Sequence, residues 1–356
     1  MRRSLFVLTA FGLLLSACSG SDAVDTTTTT PETTTTVVET TTTSEATTTS
    51  TAPGVPSPIN GLLVDEPELL DRRVLAVKLD NHPNARPQSG IDQADAVVEI
   101  LVEGVTRFIT IWMQSDVDYL GPMRSGRPTD AHLLPAFGEP TFSISGAQPW
   151  VQSLIRGQGI NLTGEVKPAT FRISGRRAPH NLFMSTNLMR EYADDRGYAD
   201  DPQDGPMWEF GDLPSSATPV ESVQMNFSGN STEWTWGEVE GGWLRTASGS
   251  DSNWRNQDGT EGRITMPVVV ALAVEQYTAR PPAGVSGTPV PSSDVTGSGK
   301  AFVFADGKVV EGTWERESDE VWFTLKDDSG NIIPVPPGKV WISLVPNGNI
   351  IITPAT

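Results

Sequence analysis

The pattern of hydrophobic and polar positions divides the chain into three stretches. A short apolar run at positions 5–15 follows Arg2 and Arg3 near the N-terminus. Next comes a threonine-rich stretch without apolar periodicity, in which seventeen of the twenty-six residues 26–51 are Thr. From about residue 58 onwards, hydrophobic positions recur in the patterns of strands and helices. We therefore expect the folded part to begin there, because the threonine stretch has too few apolar residues to form a core.

The first folded half alternates between strand-like and helix-like patterns. RRVLAVKLDN (72–81) and VTRFITIWMQ (105–114) are apolar or β-branched through their centres, which is typical of buried strands. SGIDQADAVVEILVEG (89–104) predicts a short helix that passes into a strand. PWVQSLIRGQG (149–159) predicts a helix with Pro near its start and Gly at its end. This alternation predicts an α/β domain over residues 58–214.

The second half has a different residue pattern. Short β-branched and aromatic runs are separated by Gly, Asp and Asn, and ADGK (305–308) has the composition of a hairpin turn. We expect a β-rich domain over residues 215–356, with the Pro/Gly/Ser-rich stretch 280–299 as a long loop. The predicted fold class is α+β, with an α/β N-terminal domain followed by a mainly antiparallel β C-terminal domain.

The N-terminal segment predicts export and lipid anchoring. A charged start, an apolar run and the sequence LSAC ending at Cys18 have the order of a bacterial lipoprotein signal with a lipobox. We expect residues 1–17 to be removed, Cys18 to carry a diacylglyceryl group, and residues 18–57 to form a tether. The folded part would then stand on the outer face of the cytoplasmic membrane, held by two acyl chains. Cys18 is the only cysteine, so no disulfide, Cys nucleophile or Cys-based metal site is expected.

Charge is distributed unevenly along the chain. The formal net charge is −19, which argues against nucleic acid as a partner. Residues 72–190 nevertheless contain thirteen Lys/Arg and ten Asp/Glu, a net charge of +3. Residues 191–356 contain ten and twenty-five, a net charge of −15. The contrast predicts an anion-facing cleft in the N-terminal half of an acidic protein.

Arginines in this half are the candidate anion contacts, because guanidinium is a planar fork that suits carboxylate and phosphate oxygens. The stretch GPMRSGRP (121–128) also precedes a predicted helix start, where backbone N–H groups favour anions. The candidate anion-binding residues are Arg86, Arg107, Arg124, Ser125 and Arg127. An alternative stays open, in which these arginines form structural ion pairs with nearby carboxylates.

Acidic and neutral polar residues of the same half raise the possibility of an enzyme. Glu99 and Glu103 are four residues apart and would share a face of a helix or a strand. Two carboxylates flanking a cleft are the minimum for glycoside hydrolysis. His180 is a candidate base, or a structural histidine. The candidate polar cluster comprises Asp80, Asn81, Gln88, Glu99, Glu103, His180 and Asn181. No motif predicts a metal or cofactor, so none is expected.

Three stretches of the sequence carry a resemblance to a family. LAVKLDNHPNARPQSGIDQADAVVEILVEGVTRF with GPMRSGRP and APHNLF, and the C-terminal stretch GSGKAFVFADGKVVEGTWERESDEVWFTLKDDSGNIIPVPPGKVWISLVP, resemble the YerB-like bacterial lipoproteins. The resemblance implies a lipid-anchored, two-domain envelope protein of no established activity, and it supplies no catalytic residues. The usual form has a Tyr and two glycines where this chain has Val98 before Glu99 and Val105 after Gly104, which we expect to be small packing changes.

Three functions are compatible with these observations. The leading one is a binding protein that holds a cell-wall polymer, another envelope ligand or a partner protein at the domain boundary, with Arg107, Arg124 and Arg127 as anion contacts. The second is a cell-wall hydrolase or lytic enzyme that uses Glu99 or Glu103. The third is a structural partner of a membrane complex. Whether the chain is an enzyme stays open at this point.

Overall fold

A computed structural model describes residues 54–202, 204–347 and 349–355, so the signal peptide, Cys18 and nearly all of the expected tether lie outside the described residues. Within the described ranges the protein is mainly β. Single helical turns of the 3-10 type lie at Pro67–Leu70, Pro83–Ala85, Ile91–Gln93 and Leu134–Phe137. The α-helices are α1 (Pro128–Leu133), α2 (Pro149–Gly157) and α3 (Thr186–Asp195). Among the described residues, none of the helices has the length and hydrophobicity of a membrane span.

Strands account for most of the regular structure. Those of the first half are β1 (Val55–Pro56), β2 (Leu63–Val64), β3 (Leu75–Asp80), β4 (Ala96–Leu101), β5 (Thr106–Trp112), β6 (Thr141–Ser143), β7 (Asn161–Thr163), β8 (Thr170–Arg172) and β9 (Leu182–Met184). Those of the second half are β10 (Thr218–Phe227), β11 (Asn230–Gly237), β12 (Gly242–Ala247), β13 (Ser250–Asp251), β14 (Asn253–Arg255), β15 (Glu261–Arg263), β16 (Thr265–Met266), β17 (Val268–Val274), β18 (Gln276–Ala279), β19 (Val290–Ser293), β20 (Gly297–Ala305), β21 (Lys308–Arg316), β22 (Thr324–Lys326), β23 (Val340–Pro346) and β24 (Ile350–Pro354).

One large sheet runs through both halves of the chain. Its main path is β13-β12-β11-β10-β21-β20-β17-β23-β4-β5-β3-β6-β7. The halves meet where β23 pairs in parallel with β4, from Val340 beside Ala96 to Ser343 beside Glu99. β17 pairs in parallel with β23, and β6 pairs in parallel with both β3 and β7. The remaining pairs on this path are antiparallel.

The N-terminal half contains less helix than an α/β domain would. The strands predicted within 72–81 and 105–114 are present as β3 and β5, and the helix predicted at 149–159 is α2. The helix expected at the start of 89–104 is a single turn, Ile91–Gln93. β4 and β5 are joined by a tight turn in which Gly104 has φ +68°. So short a connection leaves no room for a crossover helix and makes the pair antiparallel.

The sheet buries side chains on both faces. The first face, defined by Ile109 and Ile111 of β5, packs against α1 and α2 through residues such as Val151. The second face, defined by Phe108 and Trp112 of the same strand, packs against the tryptophans of β11 and β12. Successive residues of a strand point to opposite faces. Neighbouring polar residues at the start of β5 therefore reach different environments.

The C-terminal half follows the predicted β pattern with one correction. The stretch 280–299 is not a continuous loop, because β19 pairs with β18 and β20 begins at Gly297. Val290 is buried and the amide N–H of Ser293 donates to Thr129 Oγ1 at 2.9 Å, so packing against α1 orders this stretch. The hairpin predicted at ADGK is present between β20 and β21, where Asp306 and Gly307 have φ of 49° and 66°.

Candidate functional site

The polar residues that the sequence predicts for the site gather where β3 ends and β5 begins. Asp80 and Arg107 are register partners in these two strands. The segment that carries the next arginines runs beside the end of β3, because the Arg124 amide N–H donates to the Lys78 carbonyl at 2.7 Å. Strand alternation then sends the residues to the two faces of the sheet.

Three arginines lie on the first face, and we call Arg107, Arg124 and Arg127 the arginine surface. Arg107 is only 7% exposed, and its Nη1 donates to the Ser125 carbonyl at 2.9 Å. Its Nε is buried without an acceptor, and no carboxylate among the described residues forms an ion pair with it. Burial, together with the charge of Arg127, lowers the pKa of Arg107 to about 10, so the guanidinium stays charged at neutral pH.

The other two members of the arginine surface have carboxylate partners. Arg124 Nε lies 3.3 Å from Asp80 Oδ2, and Arg127 Nη2 lies 2.6 Å from Glu103 Oε2. The amide N–H of Arg127 donates to Asp130 Oδ2 at 2.7 Å, so the carboxylate of Asp130 occupies the helix start that the sequence offered to an anion. The alternative of structural ion pairs therefore describes Arg124 and Arg127 but not Arg107.

A buried ion pair that sequence reasoning missed lies behind the arginine surface. Lys78 Nζ contacts Asp130 Oδ1 at 2.6 Å, and neither side chain has exposed surface. Burial lowers the pKa of Lys78 to about 8, although Asp130 acts in the opposite direction. A lysine in the middle of the apolar run LAVKLD was the available signal. The pair fixes α1 to β3 and thereby positions Arg127, the residue before α1.

His180 is held by Asp80 at the edge of the same region. Its Nδ1 lies 2.7 Å from Asp80 Oδ2, a carboxylate whose side chain is 2% exposed. The ring of His82 stacks on that of His180 with centroids 4.8 Å apart. Asn181 does not join this group, because its Oδ1 accepts from Arg172 Nη1 at 2.8 Å.

On the second face, Glu99 lies in a fully buried cluster. Its Oε1 accepts from Thr106 Oγ1 at 2.6 Å and from Arg245 Nη2 at 2.7 Å, and its Oε2 accepts from Trp341 Nε1 at 3.1 Å. Glu99 has no exposed surface, whereas the side chain of Glu103 is 46% exposed beside Arg127. The two carboxylates expected to flank a cleft therefore occupy different environments.

A small cavity opens beside this buried cluster, and we call it the boundary pocket because both halves of the chain line it. Its volume is about 220 Å³. Its lining residues are Asn81, Arg86, Pro87, Gln88, Arg245, Asp251, Ser252, Asn253, Arg255 and Glu261. Arg86 Nε donates to Asn81 Oδ1 at 2.9 Å, and Gln88 Nε2 donates to the Asp80 carbonyl, also at 2.9 Å. Burial and the charge of Arg245 lower the pKa of Arg86.

Sequence reasoning placed Arg86, Asn81 and Gln88 among its candidates but missed the residues of the second half. Arg245 is the single cation of the strand GGWLRTA, and its Trp-rich setting was the available signal. Among the residues that the structure describes, no group of three or more His, Cys, Asp or Glu side chains is arranged to hold a metal ion.

Comparisons with known proteins agree with this architecture. The relative named "Putative lipoprotein YerB" from Bacillus subtilis (strain 168) is 26% identical over 310 residues, which cover 83% of this chain and 88% of the relative. The crystal structure of the YerB protein from Bacillus subtilis aligns with a TM-score of 0.71 at 24% identity. That alignment covers 84% of this chain and 99% of the crystallised chain, and it shows a common fold.

Two family models match in sequence order. The model described as "Protein of unknown function (DUF3048) N-terminal domain" matches residues 59–199, and the model of the DUF3048 C-terminal domain matches residues 223–342. The resemblance to YerB-like lipoproteins is thereby confirmed. The protein has a two-domain, mainly β architecture and belongs to the DUF3048 family.

Proposed function

We propose that this protein is a lipid-anchored extracytoplasmic binding protein that holds an anionic envelope ligand at the arginine surface. The expected lipidation of Cys18 supports the anchoring, and so does the lipoprotein name of the relative from Bacillus subtilis. The Thr-rich tether would let the folded part reach ligands of the cell wall.

The observation that carries the binding proposal is the state of Arg107. Burial of a charge without a partner is costly, and natural proteins therefore pair such charges or hydrogen-bond them. Arg107 is only 7% exposed, and its guanidinium has one backbone acceptor, the Ser125 carbonyl. In a chain with forty-four acidic residues, none of those described pairs with it. An oxyanion would supply the missing acceptors.

The charges beside Arg107 indicate which class of ligand would bind there. Arg124 and Arg127 stay partly accessible, with side chains 24% and 13% exposed, and both add positive charge beside Arg107. Their partners Asp80 and Glu103 balance two of the three arginine charges. A phosphate or carboxylate group with access to the terminal nitrogens of these side chains would complete the charge balance.

The environments of the acidic residues favour binding over hydrolysis. Glu99 is fully buried and engaged with Arg245, so it has no surface to present to a substrate. Burial acts to raise the pKa of Glu103, but the hydrogen bond and charge of Arg127 lower it overall. A carboxyl that stays ionised in this way is a poor proton donor for a leaving group.

A thermal-shift series on the full-length protein in detergent tests the proposal. The probes are inorganic pyrophosphate, teichoic-acid fragments and muropeptides. A ligand at about 100 times its Kd stabilises the folded state by ~2.7 kcal/mol, which raises Tm by several degrees. We expect Arg107→Gln to abolish the rise. Arg156→Gln, which removes an exposed arginine of α2, should retain it. A rise that is equal in both variants, or no rise with any probe, contradicts the proposal.

A further inference from the structure

The boundary pocket is separate from the arginine surface and is built from polar groups that are themselves buried. Asn81 and Arg245 are each 1% exposed, and Gln88 is 2% exposed. Asn81 Nδ2 donates to Thr106 Oγ1 at 2.8 Å, which links the pocket to the buried cluster on the second face. Arg107 points to the opposite face of the sheet, so occupancy of this pocket does not depend on it.

Hydrogen bonds between the two halves of the chain hold the pocket open. The wall formed by β14 and β15 is fixed to the loop that carries Arg86 and Gln88, because the Arg255 amide N–H donates to the Gln88 carbonyl at 2.9 Å. Ser89 Oγ donates to the Arg255 carbonyl, and the Gly90 amide N–H donates to Asn256 Oδ1 at 3.1 Å. A ligand would therefore enter a preformed site, which lowers the entropic cost of binding.

Every charged side chain that lines the pocket has an ion-pair partner, except one arginine. Arg245 pairs with Glu99, whose Oε1 lies 2.7 Å from Nη2. Arg255 Nε donates to Glu261 Oε2 at 2.7 Å. Asp251, the other acidic lining residue, lies 3.1 Å from Arg263 Nη2.

Arg86 has no carboxylate partner among the described residues. Its terminal nitrogens, Nη1 and Nη2, also donate to no described residue, since its one hydrogen bond runs from Nε to Asn81. Burial and the charge of Arg245 lower the pKa of Arg86, while the charges of Glu99 and Asp80 act in the opposite direction without forming an ion pair with it. Arg86 is thus the one lining cation without an ion-pair partner among the described residues, in a protein of net charge −19.

We propose that the boundary pocket binds the carboxylate of a small organic acid through the terminal nitrogens of Arg86. One uncompensated charge calls for a monoanion, and the paired nitrogens of a guanidinium match the two oxygens of a carboxylate. Ser252 lies at the same site, where its Oγ accepts from Arg245 Nη1 at 2.8 Å and keeps its own proton for a ligand oxygen. The volume of about 220 Å³ has room for the carboxylate end of a small acid.

Calorimetric titration of the full-length protein in detergent tests this assignment. The probes are acetate, lactate and propionate, with dimethyl phosphate as a monoanion without a carboxylate and inorganic phosphate as a more highly charged anion. We expect saturable binding of at least one carboxylate with a Kd below about 1 mM. Arg86→Gln should weaken it at least about tenfold, since a charge-assisted contact is lost.

Matched variants separate the pocket from other sites. Arg255→Gln removes a lining arginine that already has a partner, so it should change the Kd much less than Arg86→Gln does. Asn253→Phe, at an exposed lining position, should block the pocket even if Arg86→Gln disturbs the fold. The carboxylate binding that Arg86→Gln weakens should persist in Arg107→Gln, whatever that variant does to binding at the arginine surface.

Three results would overturn the assignment. The first is the absence of saturable binding for every carboxylate. The second is a preference for inorganic phosphate over all carboxylates, which would contradict the monoanion. The third is carboxylate binding that survives both Arg86→Gln and Asn253→Phe.

Discussion

Replacement of Glu99 by Gln distinguishes a structural carboxylate from a catalytic one. A catalytic Glu→Gln change abolishes turnover and leaves the fold intact. In the buried cluster, the same change removes the only carboxylate within ion-pair distance of Arg245 among the described residues, and the side chain of Arg245 is 1% exposed. Removal of one partner from a buried ion pair costs about 3–5 kcal/mol, because the other charge stays buried without compensation.

The expected loss is large enough to measure by thermal denaturation. At roughly 2 °C per kcal/mol for a domain of this size, Glu99→Gln should lower Tm by about 6–10 °C. The double variant Glu99→Leu/Arg245→Met removes both charges and should recover most of the loss, since apolar replacements of a buried pair are often neutral. Circular dichroism of the full-length protein in detergent gives both values. A Glu99→Gln protein within about 1 kcal/mol of the wild type would refute the reasoning.

Two further predictions concern stability. The pKa of Lys78 is about 8 in the folded state against an ordinary value of 10.5, so the unfolded chain binds more protons between these pH values. The free energy of unfolding should therefore rise with pH across that window. Urea titrations at pH 8 and pH 10 should show a smaller rise in Lys78→Met/Asp130→Leu than in the wild type, and an equal rise would contradict the assignment. Gly312→Ala should cost about 1–3 kcal/mol, because the new Cβ would clash with the Lys326 carbonyl and lie 2.5 Å from Ile333 Cδ1. Gly164→Ala, with no atom within 4 Å of the new Cβ, is its control, and similar Tm values for the two variants would count against this packing.

Local patterns were sufficient to predict much of the fold. The apolar and β-branched runs that became β3 and β5 are long enough to indicate strands without further information. The turn at Asp306 and Gly307 follows from residues that tolerate positive φ. The pairing of β23 with β4 joins residues more than two hundred positions apart, and no local pattern specifies such a partner. The helix expected after Ser89 is limited to the single turn Ile91–Gln93, because β4 begins at Ala96 and pairs with β5 from its first residue.

The candidate site was predicted in its composition but not in its arrangement. Arg107 and Thr106 are neighbours in sequence, and only the register of β5 decides that one reaches the arginine surface and the other reaches Glu99. The sequence could not predict that Arg245 and Arg86 line the same pocket, because the two meet only after the second half of the chain folds over the second face of the sheet. The unpaired state of Arg107 is likewise a property of the packed protein, since Glu103 is nearer to Arg107 in sequence but pairs with Arg127.

The central claim is that an oxyanion binds at Arg107. The NMR signals of the arginine Nε–H groups report such binding directly. In a ¹H–¹⁵N spectrum of the full-length protein in detergent, the Arg107 signal is assigned by its loss in Arg107→Gln. We predict that inorganic pyrophosphate shifts this signal in a saturable way, because an anion bound at the accessible nitrogens of the arginine surface changes the electrostatic environment of the buried Arg107 Nε–H. The signal of Arg156, on the exposed side of α2, should stay in place. A spectrum in which Arg107 does not move, or moves no more than Arg156, would contradict the account.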